Sequence, residues 1–116
     1  MKEEFYKADR SESYEQVMKK LKKSEQKYIL VTADKRKLMG YVNLKRLKEN
    51  QESNWVKHIK MTPVIEEDAS LKDVLNKMIE NDVTLIPIVD SDYNLKATIT
   101  MEIIQNYISD EYNQEE

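Results

Sequence analysis

Apolar positions recur in the same order twice along this chain. The segments QKYILVTADKRKLMGYVN (residues 26–43) and VTLIPIVDSDYNLKATIT (residues 83–100) align without a gap at a constant shift of 57 positions. The same shift places Ser13 on Ser70 and Val17 on Val74. Few residues are identical, but the apolar positions coincide. A register kept over this length indicates a duplicated structural unit.

Each copy contains one amphipathic helix that begins after a serine. Apolar residues follow the i, i+3, i+4, i+7 spacing of a helix with one buried face. They are Tyr14, Val17, Met18 and Leu21 in the first copy, and Leu71, Val74, Leu75 and Met78 in the second. We therefore expect an equivalent helix in each half.

The helix is followed in each copy by two short apolar runs separated by a polar turn. The runs are YILV and LMGYV in the first copy, and LIPIV and LKATIT in the second, which predicts two strands joined by a turn. A further helix is indicated by Leu44 and Leu47, and by Ile103, Ile104, Tyr107 and Ile108. Short extended runs, EEFYKAD and MTPVIEED, precede the units, and Pro63 disfavours a helix in the second. The predicted unit is strand, helix, strand, strand, helix, in a fold of the α/β (α+β) class.

Chain length sets how these units are organised. With 116 residues and 40% hydrophobic content, a unit of half the chain buries little core alone, so we expect the repeats to pack on each other pseudo-symmetrically. The predicted boundaries are a first repeat at 1–48, a polar linker at 49–55, a second repeat at 56–109, and an acidic tail at 110–116 that frays.

Charge is unevenly distributed between the halves. Residues 1–65 carry 16 basic and 9 acidic side chains, whereas residues 66–116 carry 3 and 13, giving about +7 and −10 within a net charge of −3. Such polarity orients a partner, attracts an anion to the first half, or aligns subunits. Most individual charges are nevertheless expected to be solvated. Because no base-reading motif accompanies the lysines, duplex nucleic acid is not an expected partner.

Features required for catalysis are sparse. The chain has no cysteine and one glycine, Gly40, so thiolate metal sites and glycine-rich phosphate loops are excluded. No apolar run reaches the roughly 20 residues that span a bilayer, and the start does not resemble a signal peptide. The sole histidine, His58, lies in a polar stretch, where a surface or interface role is expected. We predict a binding module and no enzyme.

The segment MTPVIEEDASLKDVLNKMIENDVTLIPIVDSDYNLKATIT resembles a CBS domain. It has a proline-bearing first strand, an acidic, small, Ser-Leu helix start, a strand with Pro followed by Val-Asp, and a last strand ending in Thr. Residues from about Phe5 to Lys48 resemble the same domain in degraded form, with Leu30 where the second copy has Pro87. A pair of such domains is known as a Bateman module.

This resemblance implies a regulatory module that binds an adenine nucleotide in a cleft between its two units. The chain is further similar to the C-terminal part of the ATP-binding subunit of bacterial glycine betaine, carnitine and choline ABC transporters, modules implicated in binding cyclic di-AMP. This similarity implies that the module forms a homodimer, which inhibits osmolyte uptake when cyclic di-AMP binds. The other implied partners are the ATPase domain of a longer parent chain and the membrane subunits of a transporter, with the module in the cytoplasm at the inner membrane face.

Site residues follow from the family's cleft, formed by the start of each middle strand and the end of each last strand. Tyr28 and Tyr41 are candidates for stacking on adenine, with a role in the core or an interface as the alternative. Cations that would meet phosphate are Lys7, Lys27, Lys45 and Arg46. The predicted ligand-binding set is Lys7, Ala8, Lys27, Tyr28, Ile29, Tyr41 and Asn43 in the first half, and Val64, Thr84, Leu85, Ile86, Pro87, Thr98 and Thr100 in the second.

The sequence departs from the family where the ribose is usually held. Many AMP-binding or ATP-binding CBS domains place an Asp three residues after the Thr or Ser that ends the last strand. That position is Arg46 in the first copy and Ile103 in the second, and Ala97 replaces the motif's Gly. A cyclic dinucleotide needs this anchor less, because its 3′ oxygens are esterified. The alternatives are an AMP or ATP sensor, and an electrostatic sensor of ionic strength or anionic membrane without a small ligand.

Overall fold

The computed structural model describes residues 7–24, 27–51 and 54–114. The chain forms two compact units. The first extends to Thr62 and includes Asp92–Leu95, and the second comprises Pro63–Ser91 and the chain from Lys96 onward.

The first unit is a three-stranded sheet with helices on one face. Strand β1 is the sheet's edge, runs parallel to β2, and β2 is antiparallel to β3. The elements are β1 (Lys7–Asp9), α1 (Tyr14–Lys23), β2 (Tyr28–Ala33), β3 (Lys37–Asn43), α2 (Leu44–Glu49) and a 3-10 helix (Trp55–His58). The turn of the second repeat joins this unit, since Leu38 N donates to Tyr93 O at 3.1 Å and Leu95 N to Arg36 O at 2.7 Å.

Helix α1 begins at Ser13 because the serine and Gln16 form a capping box. The Ser13 hydroxyl accepts from the Gln16 N–H at 3.2 Å, and the Gln16 side chain accepts from the Ser13 N–H at 2.9 Å. These bonds satisfy two N–H groups that lack partners at a helix start. The helix then buries Val17 and Leu21 against Ile29, Val31 and Val42 of the sheet, in a core that also includes Ala8, Leu47 and Trp55.

The second unit repeats this plan. Its sheet has the order β4-β5-β6, with β4 parallel to β5. Ser70 and Asp73 form the equivalent capping box, and Ile65, Val74, Met78, Ile86 and Ile104 make the core. The elements are β4 (Ile65–Glu66), α3 (Leu71–Glu80), β5 (Leu85–Val89), β6 (Leu95–Thr100) and α4 (Met101–Gln114). The mixed α/β class and the element order within each repeat are as predicted.

The connection between the repeats differs from the sequence expectation. Trp55, assigned to a polar linker, is 2% exposed, and its Nε1 donates to the Glu12 carbonyl at 2.8 Å. His58, expected at a surface or interface, is also buried. Residues up to Thr62 belong to the first compact unit. Helix α4 continues to Gln114.

The segment after the 3-10 helix crosses the outer edge of β3 at Gly40. Tyr41 N donates to Lys60 O, and Lys60 N to Tyr41 O, both at 2.8 Å. Gly40 has φ of +151°, and a Cβ there would overlap the Lys60 carbonyl oxygen and meet the Ile59 side chain at 2.9 Å. Only glycine permits both this conformation and this approach.

We predict that Gly40→Ala lowers the free energy of unfolding by about 2–4 kcal/mol, through backbone strain and overlap with Lys60. The equivalent position of the second repeat, Ala97, is exposed and supplies the control. Ala97→Gly should cost only about 0.5–1 kcal/mol. Urea unfolding followed by Trp55 fluorescence measures both, and similar costs at the two positions would contradict this account.

Candidate functional site

Two tyrosines predicted to contact a ligand lie in contact at one end of the first sheet. The ring centroids of Tyr28 and Tyr41 are 5.7 Å apart at an interplanar angle of 70°, an edge-to-face arrangement. Tyr28 lies opposite Asn43 and Tyr41 opposite Leu30, so the rings are diagonal neighbours across β2 and β3. Both residues are half-buried.

The backbone holds both tyrosines in place. The backbone of Tyr41 forms two hydrogen bonds with the backbone of Lys60. Lys27, just before Tyr28, has φ of +60°, donates its N–H to Ser24 O at 3.3 Å, and accepts from Leu44 N at 2.8 Å. The start of β2 is therefore tied to the end of α1 and to the first residue of α2. The Lys27 side chain is exposed, and its Nζ donates to Lys22 O at 3.2 Å.

Asn43 and Thr100, both predicted ligand residues, cap the helices that follow them. Asn43 Oδ1 accepts from Arg46 N at 2.7 Å, and Thr100 Oγ1 from Ile103 N at 3.2 Å. Such capping explains a polar residue at these positions without any ligand. Arg46 and Ile103 are exposed at the third position of their helices, so neither repeat has a carboxylate at that position.

Five predicted residues have buried side chains, one of which is Pro87. Ala8, Ile29, Leu85 and Ile86 are each at most 3% exposed. Any contact that they make with a ligand would involve backbone atoms. In the second unit Val64, Thr84, Thr98 and Thr100 have intermediate or exposed side chains, and Thr84 O accepts from Met101 N at 2.8 Å, matching Lys27 and Leu44.

Lys7 and Ala8 line a different feature, a cleft of about 440 Å³ beside β1 and the first turns of α1. Tyr28, Tyr41 and Asn43 do not line it. This cleft was not predicted from the sequence. Asp9 lines this cleft and accepts hydrogen bonds from Thr32 and Lys35, which lie 23 and 26 positions away in the chain.

The Asp9 carboxylate is buried and accepts four hydrogen bonds. Oδ1 accepts from Thr32 Oγ1 at 2.9 Å and Lys35 N at 2.6 Å, and Oδ2 from Ser11 N at 3.2 Å and Ser11 Oγ at 2.7 Å. Burial alone raises the pKa of Asp9, but the hydrogen bonds from Ser11, Lys35 and Thr32 outweigh it and lower the pKa to about 2.

Other site chemistries are not represented in the described part of the chain. Among residues 7–24, 27–51 and 54–114, no group of three or more His, Asp or Glu side chains is arranged to hold a metal ion. None of the helices in these ranges has the length and apolar character needed to cross a membrane.

The described chain is a tandem pair of α/β units, each with a three-stranded sheet that buries one face in its own core. Residues 56–110, a little under half of the chain, match the family model described as CBS domain. This segment is a CBS domain, and the chain as a whole has the fold of a CBS-domain pair, which confirms the prediction. CBS domains are regulatory, non-catalytic modules, in agreement with the expectation of no enzyme.

Solved structures extend the likeness to nearly the whole chain. A CBS domain pair/ACT domain protein from Thermotoga maritima has a TM-score of 0.80 at 14% identity, covering 93% of this chain and 91% of that one. CbpB in complex with c-di-AMP has a TM-score of 0.76 at 17% identity, with 95% and 82% covered. Staphylococcus aureus OpuCA has a TM-score of 0.72 at 15% identity, with 90% of each chain covered. These identities establish the fold alone. A search among curated proteins found no match.

We predict that acid destabilises the first unit through Asp9. Because its folded pKa is below the unfolded value near 3.8, its stabilising effect is complete above about pH 4 and is lost as pH falls towards about 2. Asp9→Asn should lower the free energy of unfolding at pH 7 by about 1–2 kcal/mol and flatten the decline between pH 4 and 2.

Urea unfolding at a series of pH values measures this effect. The exposed Asp82 serves as the control, and Asp82→Asn should leave the decline in place. An unchanged pH profile in Asp9→Asn would contradict the role assigned to the network.

Proposed function

We propose that this CBS-domain pair is a regulatory module that binds cyclic di-AMP. The observation that carries the proposal is the half-buried pair of Tyr28 and Tyr41, adjacent to a helix start whose third residue is Arg46. The fold likeness to CbpB in complex with c-di-AMP supports this ligand class.

The aromatic pair suits adenine. The edge-to-face contact fixes the orientation of each ring. A base stacked on a tyrosine gains about 1–3 kcal/mol, as judged from alanine substitutions in other proteins. The Lys27 carbonyl, just before Tyr28, accepts from Leu44 N, and its second lone pair would accept from the amino group of the base.

The residues that follow β3 and β6 favour a cyclic dinucleotide over AMP or ATP as the ligand. Arg46 and Ile103 stand where an Asp would hold the ribose hydroxyls of a mononucleotide. Lys27, Lys45 and Arg46 are exposed cations at the same end of β2 and β3 as the tyrosine pair. Phosphates bridging two riboses carry negative charge that these cations would attract.

The two-fold symmetry of cyclic di-AMP suits a homodimer. Each of two identical subunits would present the same tyrosine pair to one adenine, so that two chains bind one ligand. Binding regulates an attached protein only where the ligand has unequal affinity for two arrangements of the dimer.

The attached protein in this proposal is an ATPase domain of an osmolyte-uptake ABC transporter, which the module inhibits when cyclic di-AMP is bound. Resemblance to the regulatory part of such subunits supports this role, as does the fold shared with OpuCA. In this proposal the module acts in the cytoplasm beside a transporter in the membrane.

An electrostatic sensor is the second candidate. Its support is the set of exposed basic residues on α1 and α2, which pack on the same face of the first sheet. These residues are Lys19, Lys22, Lys23, Lys45, Arg46 and Lys48. Such a module would bind anionic vesicles and dissociate from them as salt rises.

Calorimetric titration with cyclic di-AMP, AMP, ATP and cyclic di-GMP separates these candidates. Tight binding of cyclic di-AMP alone, at half a ligand per chain, is the expected result. No nucleotide binding, combined with salt-dependent association with anionic vesicles, would replace the proposal by the electrostatic one.

We predict that Tyr28→Ala weakens cyclic di-AMP binding about tenfold or more, because the stacking surface is lost. Tyr28→Phe keeps the ring and should retain most of the affinity. Tyr93→Ala removes a 41% exposed tyrosine outside the pair and is the matched control. Thermal unfolding of each variant checks the fold, and equal affinity in Tyr28→Ala and wild type would remove Tyr28 from the site.

We also predict that Arg46→Asp raises the affinity for AMP and lowers that for cyclic di-AMP. The substitution restores a carboxylate for the ribose and removes a cation near the phosphates. Helix α2 should tolerate it, because an acidic residue in the first turn interacts favourably with the helix dipole. The equivalent change at Lys48, Lys48→Asp, alters charge by the same amount outside the first turn. An equal response to both substitutions would show that net charge alone is responsible.

A further inference from the structure

The cleft beside β1 has the size of a small-molecule site. Its volume of about 440 Å³ falls within the range of ligand pockets, and its lining includes charged side chains of both signs. Three are lysines, Lys7, Lys20 and Lys35, and two are carboxylates, Asp9 and Glu12. The formal charge of these five groups is therefore +1.

Both carboxylates already have partners. Asp9 accepts four hydrogen bonds, which fills the roughly four acceptor positions of a carboxylate. Glu12 Oε2 accepts from Asp9 N at 2.7 Å and from Lys20 Nζ at 3.0 Å, and Lys20 also lies 2.8 Å from Glu12 Oε1. Little acceptor capacity is left to face a ligand.

The groups that remain available are donors. Lys7 and Lys35 have exposed side chains, and Gln16 uses its Oε1 to accept from Ser13 N, which leaves its Nε2 hydrogens for another acceptor. Two ammonium groups and an amide N–H₂ around saturated carboxylates match a ligand rich in acceptors and negatively charged.

Lys35 occupies an unfavourable backbone conformation at this cleft. Asp34 and Lys35 have φ of +53° and +62°, and Arg36 N donates to Ala33 O at 3.1 Å, so the two residues are the centre of a β-turn within the three-residue connection between the paired Ala33 and Lys37. Turns with positive φ at both central residues favour glycine at the second, because a side chain there is strained. The turn instead has a lysine, anchored by the bond from its N–H to Asp9, and this lysine is among the residues that line the cleft.

We propose that this cleft binds a small organic oxyanion, a phosphate ester or a carboxylate, held by Lys35, Lys7 and Gln16. The site is separate from the tyrosine pair, and the inference does not depend on cyclic di-AMP as the ligand there.

Calorimetric titration with glycerol 3-phosphate, citrate and glycerol tests the proposal, on protein saturated with cyclic di-AMP and without it. At least one of the two anions should bind with a Kd below about 10 mM, and neutral glycerol should not bind in that range. The better anion identifies phosphate or carboxylate as the preferred group. Binding of neither anion to the wild-type protein would overturn the proposal, as would loss of anion binding in the presence of cyclic di-AMP.

Lys35→Gly distinguishes a binding role from an incidental lysine. The substitution relieves the strained turn, so Tm should rise by about 3 °C, while anion affinity falls at least fivefold and cyclic di-AMP affinity is unchanged. Lys72→Gln, at an exposed lysine on α3, controls for net charge and should leave anion binding unaltered. A stabilised Lys35→Gly variant with wild-type anion affinity, or an equal loss in Lys72→Gln, would refute the site.

Discussion

The close approach of Lys60 to Gly40 connects the fold of the first unit to its candidate site. A side chain at position 40 would prevent this approach, and the two hydrogen bonds between Tyr41 and Lys60 would be lost with it. Those bonds hold the backbone of Tyr41, whose ring meets Tyr28 across the sheet. Because the same segment buries Trp55 in the first core, one glycine determines both how the connection packs and how firmly an aromatic surface is presented.

Local patterns in the sequence predicted most of the fold. Helices α1 and α3 cover 14–23 and 71–80, related by the 57-residue shift, and both begin at the serines noted beforehand. Capping chemistry and helical periodicity act over four to eight residues, so a linear sequence displays them directly. The two-strand turn of each repeat follows the same logic. The tyrosine pair was also anticipated as two candidate residues, although its edge-to-face geometry was not.

The remaining features depend on contacts between residues distant in the chain. Trp55 lies among polar neighbours and is buried because its indole reaches Glu12, 43 residues earlier. Asp9 gains its role from Thr32 and Lys35, and the left-handed conformation of Lys35 departs from the residue preference of its turn. Neither periodicity nor composition records such pairings, so the oxyanion cleft had no signal in the sequence beyond a surplus of lysine.

Both edges of the first sheet are occupied, and the two candidate sites follow from how this is done. On the β3 side, the backbone of Lys60 continues the hydrogen bonding and so fixes Tyr41. On the β1 side, the strand is only three residues long, and Lys20 Nζ donates to the Lys7 carbonyl at 3.2 Å while it pairs with Glu12. A charged side chain at the edge of a sheet discourages pairing with another strand. Since this lysine is engaged there, the lysines of the cleft with exposed side chains are Lys7 and Lys35, the two cations to which the oxyanion proposal assigns the ligand.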